Sequence, residues 1–429
     1  MKQIIDKFLK NKVVKNAGWL VGGKIVNMVL AFFIGLLTAR YLGPNNYGLI
    51  NYATAYTTFF ASLCTLGINS VIVKEFIDYP NEEGETIGTT LVLRSISSVL
   101  SALMICGIAA VIDKDEPLTI IVVALCSISL IFQVFDTFNY WFQAHLQSKC
   151  SAIATTIAYI ILSVYRIILL AFGCSVKWFA LASSVDYFAI AIALIIFYIK
   201  SKGPKLKFSG KKAKRLLSSS CHFIIAGLMV SIYGSTDKLM LKQFLDETSV
   251  GYYSTALALC NIWVFILTAI IDSMYPVIME EHDRNYQKYL KRNRQLYAIV
   301  FYVSFAVSIV FTVAGTLIVK ILYGEAYLPS VAPLRVITWY VAFSYLGVAR
   351  NAWVVSEHKQ KYLVFLYGGA ALTNIVLNAL LIPCFGTVGA AAASLITQMS
   401  TVIGLPFLIK ELRPNAKMML QAIFMKDVL

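Results

Sequence analysis

Ten ionisable side chains fall inside stretches that are otherwise apolar: Lys24, Arg94, Arg166, Lys238, Arg335 and Arg350, against Asp136, Asp186, Asp237 and Asp272. In hydrocarbon each costs at least about 2.5 to 3.5 kcal/mol, so such groups face a wet cavity, pair with one another, or stretch to the headgroups. In a cavity the cations bind an anion, while the carboxylates carry a proton or sodium ion or balance the cationic charge. Lys24 lies about 10 Å inside its run at 1.5 Å per residue, which suits a cavity. Arg94 and Arg166 are slightly shallower, where cavity lining and snorkelling fit equally. Arg335 and Arg350 sit near opposite ends of one run and fit interfacial anchoring as well as binding. Asp186 is too short to snorkel easily, so it pairs with a cation or carries an ion. In GSTDKLMLKQF (234–244), Asp237 and Lys238 are adjacent and point about 100° apart on a helix. One can line a cavity while the other reaches the outer interface, and an inter-helix salt bridge for Asp237 fits as well. Asp136 opens the patch DTFNYWFQ (136–143), which suits sugar stacking and hydrogen bonding, or an aromatic belt.

The elements that position these groups are membrane spans. The 429 residues are 59% hydrophobic and 14% charged, whereas a soluble domain carries roughly 25% charged residues. About 20 apolar residues cross the hydrocarbon core. Runs of that length fall near 17–39, 47–70, 88–112, 118–143, 152–172, 177–199, 217–242, 250–275, 296–319, 331–355, 362–382 and 388–409. Twelve spans place both termini on one side. With the N-terminus inside, the inner segments hold 26 Lys and Arg and the outer ones 5, so both termini are expected in the cytoplasm. The net charge of +15 thus follows topology and favours anionic lipid headgroups, with no nucleic-acid partner expected. MMLQAIFM (418–425) is too short to cross and is expected on the membrane surface.

KSKGPKLKFSGKKAKR (200–215) is the longest inner polar segment and divides the runs into six plus six. The expected organisation is an N-terminal six-helix lobe over 1–199, a basic cytoplasmic linker over 200–216, and a C-terminal six-helix lobe over 217–429. The halves carry related text: YGLINYATA (47–55) and VGYYSTALA (250–258) align Gly48 with Gly251, Ala53 with Ala256 and Ala55 with Ala258. LLAFGCSVKWFALASS (169–184) likewise resembles LLIPCFGTVGAAAASL (380–395). Both copies begin inside and contain an even number of spans, so they run in the same direction, as parallel repeats do.

No loop reaches the roughly 40 residues a free-standing soluble domain needs, which excludes a soluble catalytic module. GWLVGGKI (18–25) matches a phosphate-binding loop as far as Lys24 but ends in Ile25 within an apolar run, where no strand precedes it. His145, His222, His282 and His358 lie near inner ends without ligand spacing, and the eight cysteines show no CxxC pair. Neither a metal site nor a catalytic residue is expected.

TARYLGPNNYGLINYATA (38–55), AHLQSKCSAIATTIAYIILSVYRIILL (144–170), STDKLMLKQFLDETSVGYYSTALA (235–258) and LYGEAYLPSVAPLRVI (322–337) together resemble the Wzx-type polysaccharide flippases of the multidrug/oligosaccharidyl-lipid/polysaccharide exporter superfamily. The resemblance covers about residues 10 to 410. It implies an all-α polytopic membrane protein, with 12 transmembrane helices in two six-helix lobes forming a V around a central cavity. It also implies translocation of undecaprenyl-diphosphate-linked oligosaccharide repeat units to the outer leaflet of a bacterial cytoplasmic membrane, for O-antigen or capsule. A polysaccharide polymerase and chain-length regulator are the implied protein partners. Relatives that flip the peptidoglycan precursor use cations early in the first span, a region comparable to Lys24. Lys24, Arg94, Arg166, Lys238 and Arg350 are accordingly the expected diphosphate-binding groups. Asp186, Asp237 and Asp136 are expected in ion coupling or charge balance, with Na+ or H+ as the coupling ion and no cofactor. An ion-coupled exporter of drugs or small metabolites on the same scaffold is the alternative, and a membrane-embedded polysaccharide polymerase a more distant one.

Overall fold

A computed structural model describes residues 12–426, with side chains from Asn27 onward. The described chain is helical and contains no strand. In order, the helices are α1 Lys12–Thr65, α2 Asn69–Asp78, α3 Glu83–Ile112, α4 Pro117–Gln133, α5 Thr137–Ala144, α6 Ser148–Ala171, α7 Val176–Ala180 and α8 Ala182–Lys200. They continue as α9 Gly210–Phe244, α10 Glu247–Asn261, α11 Val264–Arg284, α12 Tyr286–Leu322, α13 Val331–Ser356, α14 Leu363–Met399, α15 Leu405–Leu408 and α16 Arg413–Ile423.

Among the described residues, nine helical segments are long and apolar enough to cross a membrane, and α10 with α11 forms a tenth span bent by 43°. Two of the nine, of 52 and 49 residues, far exceed the ~20 residues one crossing needs. Each is broken by a glycine with a left-handed backbone, Gly43 (φ 68°) in α1 and Gly386 (φ 57°) in α14. A Cβ at either position would be strained, so the two breaks depend on glycine. Counting each broken helix as two passes gives the twelve expected from the apolar runs. Helix starts follow local chemistry: Asp246 and Asn285 accept from the N–H groups of Ser249 (2.7 Å) and Lys288 (3.0 Å). Large apolar side chains such as Leu103, Val111, Val313 and Leu380 remain exposed, as lipid-facing positions must.

The chain forms two compact units. The first holds the described residues to Leu42 and Tyr52–Ser231, and the second holds Gly43–Asn51 and the described residues from Ile232 onward. In the first, Ile72, Phe76, Phe142, Ala158 and Leu194 form the apolar core, drawn from α2, α5, α6 and α8. In the second, Tyr297, Leu346, Trp353, Leu366 and Val402 do so.

The polar segment over 200–216 packs as a strap on the first unit. Lys207 N–H donates to the Gly84 carbonyl (3.0 Å) and Ser209 N–H to Thr89 Oγ1 (3.0 Å). A Cβ on Gly84 would lie 2.2 Å from the Lys205 carbonyl oxygen, and one on Gly88 2.3 Å from that of Lys207. Gly84 and Gly88, one helical turn apart on α3, therefore form the seat of the strap. Beyond it, buried Lys212 bonds Glu75 (3.1 Å) and Glu82, while Arg215 bonds Glu75 (3.2 Å) and lies 3.7 Å over the Tyr79 ring. Lys212→Ala removes the contacts to Glu75 and Glu82 and should raise tryptic cleavage at Lys205 and Lys207 at least about 10-fold. Timed proteolysis with mass detection reads this directly.

Helix α16 does not cross, but it packs against protein: Met418 and Met419 are buried in the second core, and Asn415 Nδ2 donates to Tyr297 Oη at 2.8 Å.

Candidate functional site

An enclosed polar site lies in the second unit, around Asp237. Its carboxylate is buried and accepts four hydrogen bonds. Oδ1 receives Asn374 Nδ2 (2.9 Å) and Asn378 Nδ2 (2.6 Å), and Oδ2 receives the hydroxyls of Tyr253 and Ser394. Four donors fill the lone-pair sites of an ionised carboxylate, and charge-assisted bonds of this kind make a buried anion tolerable. Asn374 and Asn378 stand one turn apart on the first limb of α14, and Ser394 comes from the limb beyond Gly386. Gly389 lets the second limb approach the first, because a Cβ there would sit 2.2 Å from the Leu381 carbonyl oxygen.

Beside this cage is a cavity of about 50 Å³, lined by Tyr233, Asp237, Tyr253, Tyr340, Ser394, Thr397 and Gln398 among others. A water needs about 10 to 15 Å³, so the space admits a few waters or a small hydrated cation. Asn378 Oδ1 and Thr397 Oγ1 are buried without hydrogen-bond partners. Thr397 lines the cavity, so a cation there would give Thr397 Oγ1 a partner, and it would reach the carboxylate only where Tyr253 or Ser394 turns its hydroxyl away from Oδ2; all-oxygen ligation suits a hard ion. Among the described residues no three His, Cys, Asp or Glu side chains converge as a metal-binding group.

Lys238 turns away from this cage, as adjacency on a helix requires, and its Nζ donates to Asn51 Oδ1 at 3.3 Å in the same unit. Arg350 is 2% exposed, and its Nη1 donates to the Thr401 carbonyl (3.0 Å) within the π-helical turn Ser400–Gly404. Wider turns leave carbonyls poorly paired, and the guanidinium supplies a donor there.

In the first unit Arg94 does comparable work. Also 2% exposed, it donates to Thr137 Oγ1 and the Gln133 carbonyl, both at 3.1 Å, across the 3-10 turn Val134–Asp136 that separates α4 from α5. Arg94 interacts electrostatically with Asp136, and Asp186 with both Arg166 and Asp136. Four of the residues singled out by charge thus form one cluster of two arginines and two aspartates. Asp186 Oδ1 is buried in it without a hydrogen bond. Lys24, the remaining candidate, lies outside the residues whose side chains are described. Charge alone missed Asn374, Asn378, Tyr253 and Ser394. The one available signal was the pair of asparagines four residues apart in an apolar run.

Comparison with known proteins agrees with this architecture. A solved structure of the lipid II flippase MurJ in an inward closed conformation superposes with a TM-score of 0.69 at 16% identity, covering 95% of this chain and 91% of that one. An inward-facing multidrug resistance MATE family transporter of the MOP superfamily gives 0.67 at 13% identity, covering 93% and 95%. At these identities the likeness establishes the fold. The putative O-antigen transporter of Escherichia coli K12 is 25% identical over 218 residues, which is 50% of this chain and 52% of that protein. The match thus spans about half the length of that curated relative. Residues 13–282 match the family described as polysaccharide biosynthesis protein, and this multi-span membrane chain belongs to that family.

Proposed function

We propose that the protein is a flippase, not an enzyme, that moves undecaprenyl-diphosphate-linked oligosaccharide repeat units from the cytoplasmic to the outer leaflet of a bacterial inner membrane. On this reading both termini are cytoplasmic, transport proceeds by alternating access, and Na+ or H+ supplies the driving force. The observation that carries the coupling is the caged Asp237 beside its small polar cavity. Family membership and the names of the relatives support the cargo.

The physical problem matches such a machine. A sugar hydroxyl in hydrocarbon without a partner costs about 4 to 8 kcal/mol, so an unassisted oligosaccharide faces tens of kcal/mol. A hydrated path keeps the hydroxyls wet, and a cation about 4 Å from a phosphate contributes roughly 4 kcal/mol at an effective dielectric near 20. Lys24, Arg94, Arg166, Lys238 and Arg350 are the proposed sources of that cation, although Arg94 and Arg350 must first release the carbonyls they hold. Asp237 and Thr397 would hold the coupling ion once Tyr253 or Ser394 releases a carboxylate oxygen. The ion supplies charge neutralisation, and the chain supplies the oxygens and excludes water. Asp136 and Asp186 balance the arginines of the first unit.

Reconstitution in liposomes with fluorescent lipid-linked oligosaccharide tests the proposal. Imposing a Na+ or H+ gradient should accelerate cargo appearance in the opposite leaflet at least 10-fold over protein-free vesicles. Equal rates with and without protein, or export of cationic dyes in place of the glycan lipid, would overturn it.

A further inference from the structure

A second feature lies on the surface of the second unit. Between α11 and α12 runs a groove of about 720 Å³, walled by Met274, Val277, Ile299 and Tyr302 and ending at Arg292 and Gln295. That volume is within the roughly 300 to 1,000 Å³ typical of ligand sites. The walls open outward, since Val277, Ile299 and Tyr302 are each about 40% exposed.

Its polarity follows the membrane boundary on α12. Residues 286–295 carry Lys288, Lys291, Arg292 and Arg294, whereas 296–319 contain no charged residue. The groove crosses that change, with Arg292 and Gln295 on the polar side and Ile299 and Tyr302 on the apolar side, one to two turns deeper. Arg292 Nη1 donates to Gln295 Oε1 (3.2 Å), which orients the guanidinium along the groove mouth. A ligand that fits carries an anion at one end and a hydrocarbon chain at the other. Met425, just beyond α16, forms part of the wall, and Tyr302 Oη donates to the Ile423 carbonyl at 2.8 Å. The end of α16 therefore belongs to the same site.

We propose that this groove is a binding site for an anionic phospholipid of the surrounding membrane, with one acyl chain between α11 and α12 and the phosphate on Arg292. Charge complementarity selects this occupant: four basic residues lie within a turn or two of the mouth, and a guanidinium matches a phosphate bidentately. The transported glycan lipid fits poorly, because one cation and one amide cannot keep an oligosaccharide hydrated. The bound lipid braces α16 against α12 and is retained, not carried across. This site is independent of the transport reading and is tested without any gradient.

The test is native mass spectrometry of the full chain in mild detergent, titrated with phosphatidylglycerol or phosphatidylcholine. One phosphatidylglycerol should bind at least 10-fold more tightly than phosphatidylcholine. Arg292→Glu should bring the two within 2-fold of each other. Val277→Trp should weaken both at least 10-fold, and Ile299→Trp fills the groove from the opposite wall if that variant fails to fold. Equal binding of the two lipids by wild type, or a preference that survives Arg292→Glu, overturns the proposal. Equimolar displacement of phosphatidylglycerol by undecaprenyl diphosphate also overturns it, by assigning the groove to the cargo.

Discussion

Asp237→Asn is expected to reduce gradient-driven translocation at least about 100-fold, equivalent to roughly 2.7 kcal/mol of lost driving interaction. The substitution is nearly isosteric but removes the charge that four donors converge upon. It also leaves some of those donors facing an amide N–H₂, each at a cost of about 1 to 3 kcal/mol. Thermal stability should therefore fall as well, so transport must be normalised to folded, membrane-inserted protein. Thr397→Val separates the two effects, because it deletes a buried oxygen that has no partner and leaves all four donors to Asp237 in place. It should raise the half-saturating concentration of the coupling cation about 10-fold while leaving some transport at saturation. Liposome flipping assays across a cation series measure both variants. Unchanged cation dependence in both would remove Asp237 from the coupling mechanism.

The second large effect is structural. Gly48→Val and Gly251→Val should each destabilise the protein by more than about 3 kcal/mol, the upper range for overpacking, because the obstruction is backbone and cannot rotate away. A Cβ on Gly48 would fall 1.7 Å from the Glu247 carbonyl oxygen, and one on Gly251 would fall 2.1 Å from that of Pro44. All four residues belong to the second unit. Gly107→Val, where no atom lies within 4 Å of the added Cβ, is the control and should stay within about 0.5 kcal/mol. Fluorescence-detected melting of the solubilised protein distinguishes these outcomes.

These glycines show how far the fold was legible. Gly48 and Gly251 align between the repeated segments of the two halves, and the structure packs each against the other's neighbourhood. The spans were legible because roughly 20 apolar residues have few other uses in a chain of this composition. The strap was not, because eight Lys and Arg within 200–216 look solvated until Glu75, Glu82 and two glycines on α3 are placed beneath them. The protein contacts of helix α16 were not legible for a similar reason: the partners of its buried methionines are distant in sequence.

Charge singles out Asp237, and it singles out Arg94, Asp136, Arg166 and Asp186, which lie within electrostatic range of one another, but it says nothing of their roles. It could not show that Arg94 and Arg350 serve irregular turns, because a 3-10 or π turn leaves no clear mark in apolar text. Nor could it find the neutral half of the Asp237 cage. Asparagine, serine and tyrosine are common in membrane helices, and only folding reveals which of them share an anion.

The strap also bears on protein engineering. Residues 200–216 look like the natural place to splice a reporter or to divide the gene into two co-expressed fragments. An insertion after Lys207 would lever the chain out of its seat between Gly84 and Thr89. A division at 216 would hand residues 217–231, which belong to the first unit, to the wrong fragment. The exposed turn at Lys202, where the backbone already reverses with φ of 53°, lies ahead of those bonds and is the better point of entry for a fluorescent tag.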